Sequence, residues 1–308
     1  MFEEIEKYRS LDFYARQIVE GYITGMHRSP FHGFSVEFAE HRQYAVGEPT
    51  RNIDWKLYGR TDKLYVKRFE EETNLRCQLV IDHSASMRLP VEGQGDLRHP
   101  NKLTFACYAA AVVSELLVRQ RDAMGLTLVS DGIDLQTECR SSRAHQQYLL
   151  QLLEKELHVP AIPSPTPGTT HIAEALHLTA EALHRRSLVI IFSDALVAAD
   201  DRDPMMEALR HLRHCKHEVL FFHTLHRGHE VLFDYPDKPT EFIDLESGRR
   251  LKVRPGEVAG EYRRLMAAQT AAVKRHAIQY RIDYQQADIE QGFEQVMLPF
   301  LLKRARHC

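Results

Sequence analysis

The hydrophobic positions of this chain fall into two alternating patterns. Short runs that are apolar at nearly every position are typical of strands buried on both faces of a sheet. Longer segments carry apolar residues three and four positions apart, which predicts helices that pack one face against a core. The predicted strands are Leu75–Asp82, Ser187–Asp194 and Glu218–His223, and the predicted helices include 101–121, 142–157, 257–276 and 289–305. This alternation predicts an α/β domain with a mostly parallel sheet flanked by helices.

The sequence predicts an N-terminal extension followed by one main domain. Residues 1–74 are polar and irregular apart from a predicted helix near 3–25 and a predicted strand over 64–69, and we assign them to an N-terminal extension. The main domain is predicted to span 75–308, with a small β excursion over 228–256 where short apolar runs are flanked by proline and glycine. A last strand is predicted over 279–284.

The loop after the first buried strand carries a candidate metal site. Asp82, Ser84 and Ser86 follow that strand as Asp-x-Ser-x-Ser and offer one carboxylate and two hydroxyl groups. Oxygen ligands suit Mg²⁺ or Mn²⁺, whereas zinc is usually held by histidine nitrogen and cysteine sulfur. Because Asp and Ser are also favoured as helix caps and turn residues, the motif by itself fits a capped turn equally well.

Two later segments bring further oxygen ligands to the same predicted edge of the sheet. Thr169 lies in a Gly-Thr turn before an amphipathic helix, and Asp194 ends the second buried strand. The carboxyl ends of parallel strands lie on one edge of a sheet, so residues far apart in sequence can meet there. The cluster expected at this edge consists of Asp82, Ser84, Ser86, Thr169 and Asp194.

This order of residues resembles the metal-ion-dependent adhesion site of von Willebrand factor type A domains, with all five motif positions filled. The resemblance implies a Rossmann-like fold of that type and a bound Mg²⁺, for which Mn²⁺ or Ca²⁺ can substitute. It also implies direct coordination by Ser84 and Ser86, with Asp82, Thr169 and Asp194 binding directly or through water. An ion held mostly by neutral hydroxyls keeps much of its charge and an exchangeable water position that the carboxylate of a protein partner can occupy.

The polar stretch upstream contains the segments Glu37–Pro49, Arg51–Lys56 and Thr61–Lys67. These segments resemble the bacterial DUF58 family, in which such a stretch precedes a type A-like domain. DUF58 proteins are commonly associated with MoxR-type AAA+ ATPases that assist the assembly, activation or metal insertion of client complexes, so the resemblance implies a partner of this class. Arg51, Asp54 and Trp55 are candidate partner-binding residues. For Trp55, packing of the extension onto the sheet is the simpler interpretation, because a buried indole contributes a large apolar area.

Composition and charge narrow the class of protein. Hydrophobic residues make up 44% and charged residues 27% of the 308 residues, as in globular proteins with a substantial core. The formal net charge of -3 gives no general attraction to nucleic acid. The apolar runs are far shorter than the roughly 20 residues of a membrane helix, and the first residues lack a signal-peptide pattern. With five widely spaced cysteines, these features predict a cytoplasmic protein without membrane insertion.

No familiar catalytic motif accompanies the predicted metal site. The sequence contains no phosphate-binding glycine loop, dinucleotide fingerprint, zinc-protease helix or nucleophile elbow. We therefore predict a non-enzymatic interaction module; the alternatives are a metal-dependent hydrolase of phosphate or acyl substrates and a structural scaffold with an empty metal site. His83 and His171 flank the site as candidate proton shuttles or as simple exposed loop residues. The histidines between His211 and His229 lack the ligand spacing typical of a zinc cluster.

Overall fold

The computed structural model describes residues 10–27, 41–43, 55–67, 75–159, 172–184, 186–195, 202–245 and 248–305. The chain divides into two compact units, the larger made of Met1–Val19 with Leu75–Cys308 and the smaller of Glu20–Asn74.

A six-stranded sheet forms the centre of the larger unit in the described part of the chain. Its strands are β3 (Arg76–Asp82), β4 (Ala123–Val129), β5 (Ile133–Gln136), β6 (Leu188–Ser193), β7 (Glu218–Leu225) and β10 (Asp283–Asp288). They lie in the order β10-β7-β6-β3-β4-β5, and each pair is parallel except β4 with β5. The mostly parallel sheet predicted from the hydrophobic pattern is confirmed.

The central strands are apolar because both of their faces are covered. Every residue of β6 is buried, as is every residue of β3 and β7 except the first. Neighbouring residues along a strand serve opposite faces of the sheet. Phe221 joins one core cluster, whereas Phe222 stacks on Phe192 of the adjacent strand, with ring centroids 4.8 Å apart.

Helices cover both faces of this sheet. The helices of the larger unit are α3 (Lys102–Arg119), α4 (Arg143–His158), α5 (Ile172–Ala182), α6 (Arg202–His214), α7 (Pro255–Gln279) and α8 (Phe293–Ala305). Residues of α5, α6 and α7 share one core with the Phe221 face of the sheet. On the other face, Phe300 of α8 contacts Phe222 at 5.6 Å between ring centroids, and α3 packs against α4 and α8. None of the helices in the described ranges is both long and apolar enough to cross a membrane.

The N-terminal residues contribute to both units. Helix α1 (Leu11–His27) occupies much of the segment where a helix was predicted over 3–25, although residues 1–9 lie outside the described part of the chain. In the larger unit, Leu11 N donates to Glu154 Oε1 at 3.0 Å, and the ring of Tyr14 meets that of Phe293 edge-on. The smaller unit also contains α2 (Trp55–Thr61) and an antiparallel pair, β1 (His41–Gln43) and β2 (Tyr65–Lys67).

The C-terminal part differs from the sequence prediction in one element. The strand predicted over 279–284 is present but begins and ends later than predicted, because α7 continues to Gln279 and the chain then turns through Arg281, whose φ is 57°. Ile282 is buried beside this turn, and the strand itself begins at Asp283. Because β10 is a largely polar edge strand, it lacks the apolar signal that marks the central strands. The residues 228–256 contain an antiparallel pair, β8 (Thr240–Ile243) and β9 (Arg250–Val253).

Candidate functional site

Two of the predicted ligands lie at the carboxyl ends of neighbouring strands. β3 ends at Asp82, and Asp194 directly follows β6, which is parallel to β3 with Ile81 opposite Phe192. Ser193 Oγ donates a hydrogen bond to Asp82 Oδ2 at 2.7 Å. Asp82 and Asp194 are only 2% and 1% exposed. The structure therefore brings two buried carboxylates to one edge of the sheet.

The loop after β3 is organised around the carboxylate of Asp82. Ser84 N donates to Asp82 Oδ1 at 3.0 Å, and a short 3-10 turn then runs from Ala85 to Arg88. The hydroxyl oxygens of Ser84 and Ser86 lie 3.1 Å apart. The Asp-x-Ser-x-Ser motif is thus a turn closed by the Asp82 carboxylate, without a side-chain cap at Ser84, and it places two hydroxyl groups side by side.

Of the three predicted partner-binding residues, the structure describes only Trp55. Thr169, His171, Arg51 and Asp54 lie outside the described residues. Trp55 is 60% exposed. It begins the short helix α2, most of whose described residues are exposed, and its ring meets that of Tyr58 edge-on at 6.1 Å.

A buried lysine beside Asp194 is the main feature that the sequence prediction missed. Lys102 Nζ donates to Asp194 Oδ2 at 2.7 Å and also bonds to Glu230. Lys102 is fully buried at the start of α3, where Asn101 caps the helix by accepting a hydrogen bond from Thr104 N at 2.7 Å. Burial by itself would lower the pKa of Lys102, but the charges of Asp194 and Glu230 raise it above its ordinary value. Lys102 is therefore a permanent cation in this cluster.

Glu230 reaches the cluster from a π-helical turn that follows β7. The turn spans Arg227–Val231, and Glu230 Oε2 accepts a hydrogen bond from His226 N at 2.7 Å. Burial raises the pKa of Glu230, and the charge of Lys102 opposes this shift. Lys102 consequently links the segment after β6 to the segment after β7.

The charges of this region fit a divalent cation. Burial and the nearby charge of Asp194 raise the pKa of Asp82 to about 6. Lys102 bonds to Asp194 and Glu230, whereas the buried carboxylate of Asp82 accepts hydrogen bonds from Ser193 and Ser84. With Asp82, Asp194 and Glu230 ionised, these four buried side chains carry two negative charges in excess. No group of three or more His, Cys, Asp or Glu side chains in the described ranges could hold a metal ion. The hydroxyl groups of Ser84 and Ser86 are hard oxygen donors of the kind that suits Mg²⁺.

His83 fastens the candidate metal loop to two other parts of the larger unit. Its Nδ1 lies 3.0 Å from Glu156 Oε2 of α4, and its Nε2 lies 2.8 Å from Asp134 Oδ2 of β5. Burial would lower the pKa of His83, but the hydrogen bonds to Glu156 and Asp134 raise it. Arg88 adds a second cation on Glu156, with Nη2 3.2 Å from Oε2. The side chain of His83 is therefore a clamp between two carboxylates rather than an exposed loop residue.

The backbone of Asp194 is held by a neutral histidine. His223 Nε2 lies 2.9 Å from Asp194 O and must carry the proton, because a carbonyl oxygen only accepts. His223 Nδ1 then accepts a hydrogen bond from the Tyr284 hydroxyl at 2.8 Å. Burial lowers the pKa of His223 to about 4, so the ring stays neutral at physiological pH. This contact fixes the backbone position from which the Asp194 carboxylate extends.

Comparison with known proteins identifies the family. Residues 40–277 match the profile of the family described as protein of unknown function DUF58. The chain belongs to the DUF58 family. Two similar relatives of this DUF58 protein are the uncharacterized proteins Mb1516 of Mycobacterium bovis and Rv1480 of Mycobacterium tuberculosis. Each is 26% identical over 269 residues, which cover 87% of this chain and 79% of the relative.

Solved structures share a weaker likeness with this DUF58 protein. An aerotolerance-related membrane protein from Bacteroides fragilis, solved with multiple mutations to serines, aligns with 15% identity and a TM-score of 0.42, over 72% of this chain and 96% of that one. The conserved hypothetical protein BatB from Bacteroides thetaiotaomicron aligns with 15% identity and a TM-score of 0.38, over 67% and 98%.

Proposed function

We propose that this DUF58 protein is a non-enzymatic interaction module whose von Willebrand factor A-like domain binds Mg²⁺ and docks a carboxylate of a protein partner. The observation that carries the proposal is the pair Asp82 and Asp194, two buried carboxylates at the ends of adjacent parallel strands. Buried carboxylates in excess of their cations are costly unless an ion or a proton neutralises them. A divalent cation at this edge would remove that cost.

The donor set of the site supports a docking role for the ion. Ser84 and Ser86 would supply neutral hydroxyls, and Asp82 and Asp194 would supply the negative charge. Thr169, in the sequence segment before α5, would complete the set. Mg²⁺ keeps several exchangeable waters unless many protein groups surround it. A carboxylate from a partner can replace one of these waters, so a strong cation site with few charged ligands is suited to binding an acidic side chain.

The partner that we propose is a MoxR-type AAA+ ATPase, following the family resemblance of the upstream segment. Arg51, Asp54 and Trp55 would add a second contact on the smaller unit. The exposure of Trp55 supports this assignment, because an exposed indole is a residue type enriched in binding hot spots.

The experiment is a calorimetric titration of a MoxR-type ATPase from the same organism into the full chain, with Mg²⁺ and with EDTA. Ser84→Ala removes one hydroxyl donor. Ser141→Ala is the matched control, because Ser141 is exposed and lies far from the site. Its neighbour Arg140 pairs with the start of β4, at the opposite edge of the sheet from the candidate site. Binding that needs Mg²⁺, is lost in Ser84→Ala and persists in Ser141→Ala is the expected result. Equal binding in EDTA would overturn metal-mediated docking.

A second candidate function, a metal-independent scaffold, is favoured by the contact between Lys102 and Asp194. The ammonium already places a positive charge on one of the two predicted acidic ligands. If this internal cation is sufficient, Mg²⁺ and Mn²⁺ will not bind to the protein alone, and the ATPase will bind equally with or without metal.

A phosphatase and esterase screen with the Asp82→Ala variant tests the hydrolase alternative in the same preparation.

A further inference from the structure

Two histidines on neighbouring helices face each other away from the candidate magnesium site. His177 of α5 and His211 of α6 have their Nδ1 atoms 2.9 Å apart, and their ring centroids are separated by 5.1 Å. Both side chains are half-buried, so water and small ions reach the rings. No other described side chain is hydrogen-bonded to either ring.

The backbone that carries the two rings is held by the core beneath them. Leu176 and Ala180 of α5 are buried in the same cluster as Ala208 and Leu212 of α6. These residues flank His177 and His211 in sequence, so helix packing sets the separation of the backbones that carry the two imidazoles. This fixed backbone separation lowers part of the entropic cost of binding a ligand between the rings.

We propose that His177 and His211 bind one divalent transition-metal ion, such as Ni²⁺, Cu²⁺ or Zn²⁺, through their two Nδ1 atoms. Imidazole nitrogen suits these ions, whereas Mg²⁺ prefers oxygen. Metal–nitrogen bonds are about 2.0–2.1 Å long, so two nitrogens at right angles around one ion lie about 2.9 Å apart. The observed Nδ1 separation equals this octahedral or square-planar edge, but the ring-centroid separation of 5.1 Å shows that the two Nδ1 atoms point almost directly at each other, as in a hydrogen bond. Each ring must therefore turn so that both lone pairs converge on the ion, and an edge of Ni²⁺ or Cu²⁺ then keeps the nitrogens at their present separation.

The proton balance of this binding step is simple. In the metal-free pair, one neutral ring donates its Nδ1 proton to the Nδ1 lone pair of the other ring. When the ion binds, that proton moves to Nε2 of its own ring, and each Nδ1 offers a lone pair to the metal. No oxidation and no net loss of a proton are involved, and water fills the other coordination positions. Buried His217 adds no ligand, because its Nδ1 accepts from Ser187 N and its Nε2 faces Ala180 O.

An ion at this position would join the two helices that follow the segments carrying Thr169 and Asp194. Because it binds the folded arrangement of α5 and α6, it should stabilise the native chain. This site is independent of the proposed magnesium site, from which it differs in ligand type.

The test is titration of Ni²⁺ into the metal-free full chain, with calorimetry and thermal unfolding as readouts, in wild type, His177→Gln and His211→Gln. Glutamine retains polarity and bulk, and circular dichroism without metal checks that each variant folds. His214→Gln is the matched control, since His214 is an exposed histidine on the same helix as His211. We expect one saturable Ni²⁺ site per chain and a melting temperature several degrees higher, both retained in His214→Gln and lost in the other two variants.

Cu²⁺ provides the geometric readout. Its electron paramagnetic resonance spectrum should show two equatorial nitrogen ligands in wild type and one or none in His177→Gln. If the variants at 177 and 211 bind Ni²⁺ as wild type does, or if the Cu²⁺ spectrum is the same in all proteins, binding belongs to other surface histidines and the proposal is wrong.

Discussion

Lys102 Nζ lies 2.7 Å from Asp194 Oδ2, with both side chains no more than 2% exposed. A cation of the protein itself is therefore bonded to one of the two acidic residues that the sequence assigns to a bound metal. A buried ion pair of this kind contributes little net stability in comparison with apolar residues, but removing one partner is costly because the other charge is left unpaired. The stability of the fold therefore depends on keeping both charged partners of this ion pair at the candidate site.

Replacement of Lys102 by methionine should destabilise the protein strongly and should make it more responsive to magnesium. The substitution leaves Asp194 and Glu230 without their ammonium, which costs about 3–5 kcal/mol of unfolding free energy. Because the excess negative charge at the site increases, Mg²⁺ should recover part of this loss. The measurement is urea unfolding of wild type and Lys102→Met, each with and without Mg²⁺.

The control for this experiment is Lys274→Met on the exposed surface of α7. Surface substitutions usually change stability by less than about 0.5 kcal/mol, and Mg²⁺ should have no specific effect on this variant. Equal stability of the two methionine variants would show that the buried pairing of Lys102 with Asp194 and Glu230 does not form in solution.

Variants at Ser84 and Asp194 should both lose cation binding but should differ in how much stability they lose. Ser84→Ala removes one hydroxyl donor and a hydrogen bond to Ser86, at a cost of about 1 kcal/mol. Asp194→Asn removes the charge that faces Lys102 and should cost about 3–5 kcal/mol. Both variants should lose Mg²⁺ or Mn²⁺ binding in calorimetry, but only Asp194→Asn should lose substantial stability in urea. Retained cation binding in Ser84→Ala would contradict the proposed ligand set.

The sequence could predict the strands of this site and the position of its carboxylates. β3 and β6 are buried on both faces and therefore read as continuous apolar runs. Asp82 and Asp194 stand at the ends of those runs, and the parallel arrangement of strands places both ends on one edge. Each of these inferences depends on local pattern and on a general rule of topology.

The role of Lys102 could not be predicted in the same way. Its two partners are 92 and 128 residues away in sequence, on segments that meet only in the folded chain. One signal is visible in retrospect: Lys102 shares a helix face with buried Phe105, Ala106 and Ala109, so a charged residue interrupts an apolar stripe. That signal indicates a buried charge but does not identify the groups that balance it.

The clamp formed by His83 should affect both loop stability and cation affinity. His83→Ala removes the contacts to Glu156 and Asp134, which we expect to cost about 1–3 kcal/mol. Loss of groups that orient a metal-binding loop typically lowers metal affinity by about 10–100-fold. The measurements are urea unfolding and Mn²⁺ titration, with His99→Ala in an exposed loop position as the control. Unchanged Mn²⁺ affinity in His83→Ala would show that the contacts of His83 stabilise the loop but do not affect cation binding.

Glu115 should give the protein an acid-sensitive component of stability that is separate from the candidate site. Its buried carboxylate accepts hydrogen bonds from Arg119 and Gln146 at 2.6 and 3.0 Å and from Arg143 at 2.5 Å. Burial would raise the pKa of Glu115, but the hydrogen bonds from Arg143, Gln146 and Arg119 lower it below the ordinary value. A lowered pKa in the folded state contributes stability that is complete above the unfolded pKa of about 4.3 and is lost as the pH falls through the folded pKa.

Glu115→Gln should therefore reduce the unfolding free energy near pH 7 and flatten its decline below about pH 4.3, because the variant has no proton to take up at this position. The measurement is urea unfolding of wild type and variant across this pH range. Glu138→Gln is the control, since Glu138 is 81% exposed and its contact with Arg140 is a surface ion pair of little energetic weight. If Glu115→Gln and wild type lose stability in parallel as the pH falls, the acid sensitivity arises from other carboxylates and the Glu115 hydrogen bonds do not lower its pKa in solution.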